Sequence, residues 1–165
     1  MPLVKDGAVV SDAFVRVDAD TPLPDGPVIV PLARLLAEGE ALIGRNQPLG
    51  VLVPNSADVK VLAPYLRHLS VVALDFPKFR DGRAYSQARR LRERLGYTGE
   101  LRASGNVLRD QFLFMVRCGF DAFEITKLAD IPAMAQALKS YSVFYQPTGD
   151  GRQTAAEARL AARRA

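Results

Sequence analysis

The sequence predicts an α/β fold: a mainly parallel sheet of successive βα units, curved into a partial barrel, behind a short N-terminal β-hairpin. Strand-like apolar runs centred near residues 51, 73, 102, 123 and 143 recur 20 to 29 residues apart, with a helical pattern in nearly every gap. That is the rhythm of βα units. The runs Glu100-Leu101-Arg102-Ala103 and Ala122-Phe123-Glu124-Ile125 alternate, which places Arg102 and Glu124 on a face opposite Leu101, Phe123 and Ile125. A sheet covered by helices on both faces reads instead as continuous apolar strands. The chain's 165 residues are too few for a full eight-stranded barrel of ~250 residues, so a partial barrel is favoured. An open doubly wound three-layer sheet is the alternative.

In chain order, a hairpin is expected over residues 2–17, turned at Lys5-Asp6-Gly7, followed by a Pro/Gly-rich link at 21–27. A strand at Val28–Val30 leads into a helix around Leu32–Ile43. Leu49–Val53 is an apolar strand closed by Pro54-Asn55-Ser56, and Asn55 or Ser56 can cap a helix whose buried side is Val59, Leu62, Leu66 and Leu69, kinked or split at Pro64. Val71–Asp75 is the next strand. Asp81 can cap a helix over Gly82–Leu95 with the stripe Ala84, Ala88, Leu91 and Leu95, its arginines facing mostly outward, and Gly96 ends it. After a strand at Leu101–Ala103, Asn106 can cap a helix over Val107–Cys118, with Leu108, Phe112, Met115 and Val116 inward and Gly119 as its stop. A strand at Ala122–Ile125, a helix at Pro132–Lys139 and a strand at Tyr141–Tyr145 complete a single domain, 1–149. Residues 150–165 read as an Ala/Arg-rich tail, a frayed helix.

Composition excludes several functions. With 48% hydrophobic and 24% charged residues the chain has the makings of one globular core. No apolar run approaches the ~20 residues of a membrane span, and the N-terminal residues lack the layout of a signal peptide, so a cytoplasmic protein without a membrane role is expected. The net charge of +4 is divided equally between body and tail. Without a concentrated basic face, no nucleic-acid role is expected. Seventeen of the 22 basic residues are arginine, a bias that a GC-rich genome also produces. There is no Gly-x-Gly-x-x-Gly fingerprint, P-loop or Gly-x-Ser-x-Gly elbow. One cysteine, Cys118, and one histidine, His68, furnish neither a structural zinc site nor the four thiolates of an iron–sulfur cluster, so no metal and no resident cofactor is expected. Cys118 reads as a small buried hydrophobe, Phe112, Phe114 and Met115 as core.

Chemistry-bearing residues gather where strands hand over to helices, the usual location of α/β sites. Asp75 ends its strand, and Phe76-Pro77-Lys78-Phe79-Arg80-Asp81-Gly82-Arg83 leads into the next helix. Phe76 and Phe79 could wall a pocket, while Lys78, Arg80 and Arg83 with the helix N-terminus would favour a small anion such as sulfite, sulfate or phosphate. The next loop and helix start add Arg102, Ser104, Asn106, Arg109 and Gln111. Candidate acid/base groups are Asp75, Lys78 and Glu124; the candidate ligand set is Lys78, Arg80, Asp81, Arg83, Arg102, Ser104, Asn106, Arg109 and Gln111. Two structural readings stand beside these: Asp81 as a helix cap only, and Arg102 with Glu124 as a buried interstrand ion pair.

The motifs FPKFRDGR (Phe76–Arg83), SQARxLRERLGY (Ser86–Tyr97), GELRA (Gly99–Ala103), RDQ (Arg109–Gln111) and RCGFDAFE (Arg117–Glu124) lie in one run, and it resembles the signature of a bacterial family of uncharacterised proteins described as oxidoreductases of sulfite reduction. The resemblance is most specific over 74–124 and extends more weakly from about 28 to 145. It implies a place in assimilatory sulfate and sulfite reduction, with sulfite reductase components as partners, because the family's genes commonly adjoin those for sulfite reductase. It transfers no catalytic residue. Six-electron reduction of sulfite uses sirohaem and an iron–sulfur cluster, whose thiolates this chain lacks. Two expectations follow: an accessory protein that binds a partner enzyme or small oxyanion, or a small acid/base or oxidoreductase-associated enzyme working on an anionic substrate at the strand ends. Convergence of Asp75, Lys78, Arg80, Arg102 and Glu124 in a pocket would favour the enzyme. The same groups locked in ion pairs beside an exposed apolar patch would favour the accessory protein.

Overall fold

The computed structural model describes residues 1–148 and 151–163. Its centre is one eight-stranded sheet: β1 (Leu3–Lys5), β2 (Ala8–Val10), β3 (Val15–Arg16), β4 (Val28–Pro31), β5 (Leu49–Val53), β6 (Leu69–Phe76), β7 (Glu100–Gly105) and β8 (Ala122–Glu124). The spatial order is β2-β1-β8-β7-β6-β5-β4-β3. Strands β3 to β8 are mutually parallel; β1 joins β8 antiparallel and pairs with β2 as a hairpin. The Asp6-Gly7 turn has positive φ at both residues, 51° and 78°, as a type I′ turn needs.

The hairpin is shorter than the sequence suggests. Its expected second arm divides: Ala8–Val10 stays on β1, whereas Val15–Arg16 pairs with β4 at the opposite edge of the sheet. A flat sheet of eight strands measures roughly 34 Å from first to last at ~4.8 Å per spacing. The five Cα steps from Val10 to Val15 span at most about 18 Å. The sheet is therefore curled into a half barrel, which selects the curved expectation over the open doubly wound one.

Helices α1 (Leu32–Gly44), α2 (Arg83–Arg89) and α3 (Phe112–Arg117) supply the outer apolar layer. Their residues Leu35, Leu42, Ala84, Ala88, Phe112 and Met115 share one core with Val30, Val51, Val53, Val72, Leu74, Leu101 and Phe123. Phe76 belongs to this layer at 1% exposure, packed on Tyr85 and Phe120 with ring centroids 5.2 and 5.6 Å away, so it walls no pocket; Phe79 is exposed. Burial pushes the Tyr85 hydroxyl up to about 12 and the Cys118 thiol up to about 11, which keeps Cys118 a neutral core group.

Several element expectations are corrected. The helix expected after Pro54 is two 3₁₀ turns, Val59–Leu62 and Leu66–His68, with Pro64 between them and Leu69 already in β6. Helix α2 passes into a π turn at Arg90–Arg94. There Arg92 is half-buried, donating to the carbonyls of Tyr97, Gly99 and Gly119 and pairing with Asp121 at 2.7 Å. The helix expected from Val107 begins only at Phe112, after a 3₁₀ turn at Arg109–Gln111, and Phe114 is exposed. Tyr141–Tyr145 adds no strand to the sheet; Phe144 alone forms a bridge, to Thr154. Beyond α4 (Ile131–Ala137), the tail holds α5 (Ala155–Ala162), started by a capping box between Thr154 and Glu157. The expected boundary at 149 to 150 and the tail's Arg164 lie outside the described residues. No helix of the described residues is long and apolar enough to cross a membrane.

The curl is tight at Gly50 on the concave face, where a Cβ would meet Ile29 Cγ1 at 2.8 Å and Val71 Cβ at 3.1 Å. Gly50→Ala should destabilise the fold by about 1–3 kcal/mol, the usual cost of overpacking, read as a lower urea midpoint. An unchanged midpoint would show that the concave face yields freely.

Candidate functional site

Strand alternation sends Asp75, Glu100, Arg102, Ser104 and Glu124 to the concave face, and tertiary folding brings Asp12 and Arg16 over them. Arg102 is 1% exposed. Its guanidinium donates to Asp12 at 2.6 and 3.1 Å, to Glu100 at 2.7 Å and to Glu124 at 3.2 Å. Glu124, 5% exposed, also accepts from Arg16 Nη2 at 2.6 and 2.7 Å and from the Ser104 hydroxyl at 3.0 Å. Arg16 Nη2 lies 2.7 Å from Ser104 Oγ as well. Lys5 pairs with the second oxygen of Glu100, and the Phe14 ring faces the Arg102 guanidinium at 5.9 Å.

The interior is a satisfied ionic network, so the ion-pair reading of Arg102 and Glu124 holds. Burial alone would lower the Arg102 pKa, but its bonds to Asp12 and Glu100 outweigh that and raise it. Burial likewise works to raise the Asp12 pKa, and the bonds from Arg102 and the Phe14 N–H hold it below the ordinary carboxylate value.

The other sequence candidates divide by location. Asp75 is half-buried at the end of β6, and no hydrogen bond or ion pair to its carboxylate occurs among the described residues. Desolvation raises its pKa, with Arg16 as the opposing positive charge. Lys78 and Arg80 are exposed in the following loop, without side-chain ion pairs among the described residues. Asp81 and Arg83 are spent on each other in a two-pronged pair, Nε–Oδ1 2.9 Å and Nη2–Oδ2 2.6 Å, which holds the Asp81 carboxyl far below its ordinary value. Asp81 also accepts the Arg83 N–H at 3.3 Å, but the cap position belongs to Gly82. Asn106 is exposed and caps nothing; its N–H donates to the Phe76 carbonyl at 2.7 Å. Arg109 is exposed, and Gln111 donates to the Phe79 carbonyl at 3.4 Å, tying the two loops together.

The structure thus joins Arg102, Ser104 and Glu124 and leaves Asp75, Lys78, Arg80 and Arg109 outside their hydrogen-bond network. Sequence reasoning missed Asp12 and Arg16, which it assigned to a hairpin arm. It also missed Gln87, a buried residue of α2 that donates to the carbonyls of Pro54 (3.0 Å) and Ala57 (2.8 Å) and fixes the loop after β5. Its i, i+3, i+4 placement beside Ala84, Ala88 and Leu91 was the available signal.

Asp75 has a second setting. A pocket of about 470 Å³ at the C-terminal ends of β4, β5 and β6 is lined by Pro31, Leu32, Ala33, Leu36, Leu52, Pro54 and Asp75. Among the described residues no cluster of His, Cys, Asp and Glu is arranged to hold a metal ion.

A curled, mainly parallel sheet with an ionic interior and a pocket at its strand ends defines a half-barrel α/β protein. The family model described as bacterial protein of unknown function, DUF934, matches residues 50–156, and the chain belongs to that family. The match includes Asp75, Glu100, Arg102, Ser104 and Glu124; Asp12, Arg16 and the α1 wall of the pocket precede it. No curated protein matches the chain.

Arg102→Met should cost about 1–3 kcal/mol in urea denaturation, because it removes the ion-pair cation of Asp12 and one of the two cations on each of Glu100 and Glu124. An effect below ~1 kcal/mol, the range of exposed pairs, would show that the network is solvated. Asp75→Asn should act in the opposite direction. A raised folded-state pKa makes the ionised carboxylate a stability penalty at neutral pH, relieved as the pH falls through that pKa. The melting temperature of the variant should therefore exceed that of the wild type at neutral pH and converge with it in acid; a lower value at neutral pH would contradict the desolvated setting.

Proposed function

We propose that this chain is a non-catalytic accessory protein of assimilatory sulfite and sulfate reduction that docks a partner enzyme. The observation that carries this reading is the commitment of Arg102, Glu124 and Ser104 to one another and to Asp12, Glu100 and Arg16. Groups tied in this way are largely committed to one another, and Lys78 and Arg80 are exposed in the loop after β6, outside the network. An exposed apolar surface supports the same reading. Phe114, Tyr141, Val143 and Tyr145 border a shallow groove of about 420 Å³, and Tyr145 is 89% exposed. Contiguous apolar surface of this kind marks protein contacts. The sulfur pathway rests on the resemblance over residues 74–124, and Lys78, Arg80 and Arg109, exposed and without ion pairs among the described residues, suit a small oxyanion at the rim.

A second reading, an acid/base enzyme, is favoured by one observation: the raised pKa of Asp75 at a strand end. Lys78 and Glu124 do not join Asp75 in it, so the acid/base work would fall to Asp75 alone.

The test is affinity purification from cells assimilating sulfate. The tagged wild-type chain should retain sulfite reductase components, Phe114→Asp with Tyr145→Asp should lose them while keeping the wild-type melting temperature, and a deletion strain should grow poorly on sulfate yet normally on cysteine. A chain recovered alone, from a strain whose deletion grows equally on both sulfur sources, would sink the proposal.

A further inference from the structure

The pocket bounded by α1 and the ends of β4, β5 and β6 is separate from the aromatic groove, and its chemistry differs from that of the loop cations. Six of its seven lining residues are apolar, and the seventh is Asp75. Its volume, about 470 Å³, falls within the range of small-molecule sites, and ligands of parallel α/β sheets enter at this end of the strands. Leu36 forms one wall at 46% exposure, an open apolar surface on a helix whose other leucines, Leu32, Leu35 and Leu42, are buried.

The charge of the concave face selects the occupant. Lys5, Arg16 and Arg102 stand against Asp12, Asp75, Glu100 and Glu124, which leaves one negative charge in excess. Among the described residues, every carboxylate of this face but one has a cation within bonding distance, and the exception is Asp75. Arg16, the positive charge that Asp75 feels, is spent on Glu124 and Ser104. On its other side Asp75 lies against bare backbone: a Cβ at Gly105 would come 2.8 Å from Asp75 Oδ1. Among the described residues no side chain donates to it.

We propose that this pocket binds a small amphipathic amine, its apolar body against Leu36, Leu52 and Pro54 and its ammonium group on Asp75. An ammonium satisfies the lone carboxylate, neutralises the excess charge and gains from the partly desolvated setting, where an ion pair is stronger than in water. An anion meets the reverse: an apolar wall and a carboxylate. The outer-loop cations and this pocket therefore take ligands of opposite sign.

The experiment is an amide chemical-shift titration of the full chain with benzylammonium, benzyl alcohol and phenylacetate, repeated on Asp75→Asn and Leu36→Trp. Benzylammonium should saturate at millimolar concentration and shift residues around Leu36, Leu52 and Asp75. Phenylacetate should not bind there, and Asp75→Asn should weaken benzylammonium by about tenfold or more. Leu36→Trp, which fills the mouth from an exposed position, should block benzylammonium and benzyl alcohol alike, and melting temperatures confirm that both variants are folded. Equal affinity for the acid and the amine, an unaffected Asp75→Asn variant, shifts centred elsewhere, or no saturation by benzylammonium would each overturn the proposal. Recovery of a partner in the affinity purification is independent of these outcomes.

Discussion

The structure depends on the four-residue link, residues 11–14, that carries the chain from one edge of the sheet to the other. It is far shorter than the width of a flat eight-stranded sheet, so the sheet must curl until its edges face each other across the concave side. The curl in turn lets Arg16 on β3 reach Glu124 on β8, five strands away in the sheet. Asp12, within the link, closes on Arg102 at 2.6 Å. Link and network support one another: a short tether brings the charges together, and the charges hold the tether across the opening.

Buried charge is a costly way to fill a concave face, and apolar residues of similar volume often serve stability as well or better. What the ions supply here is register. β7 alternates Leu101 and Ala103 outward with Arg102 and Ser104 inward, and a slip of one residue would drive Arg102 into the helix-covered core beside Phe112 and Phe123. The short strands β3 and β8 have few ladder bonds to specify their pairing. Charge complementarity with Asp12, Glu100 and Glu124 adds the missing discrimination, because every wrong register leaves a guanidinium or a carboxylate buried without a partner.

The same geometry separates the rim into surfaces of different character. The loop after β6 carries Lys78 and Arg80 to solvent, with Asp81 and Arg83 closed on each other at its end. At the end of β6, Asp75 lines an apolar pocket whose other walls include Leu36 of α1 and Leu52 of β5. Around α3 and the 141–145 segment, aromatic side chains remain uncovered. These surfaces are separate: the ionic interior, the cationic loop, the apolar pocket and the aromatic groove have different linings.

The amino-acid sequence by itself determined the βα rhythm and the common inward face of Arg102 and Glu124, and favoured a curved sheet over an open one. All of these follow from periodicity, which is local: alternation at 100–103 and 122–125 and helical stripes such as Ala84, Ala88 and Leu91 are visible without knowing what they pack against. Only the tertiary structure decided what those charges do. Asp12 and Arg16 lie about 90 or more positions from their partners, and no local pattern distinguishes a hairpin arm from a strand that crosses to the opposite edge. Pro64, which marks a break in the sequence, could not show that both flanks become 3₁₀ turns, since helix type there depends on fitting between β5 and β6. The Asp75 pocket is likewise a tertiary product. Its carboxylate and its apolar walls come from three strand ends and a helix, and a buried charge acquires its meaning from whether a partner reaches it across the fold.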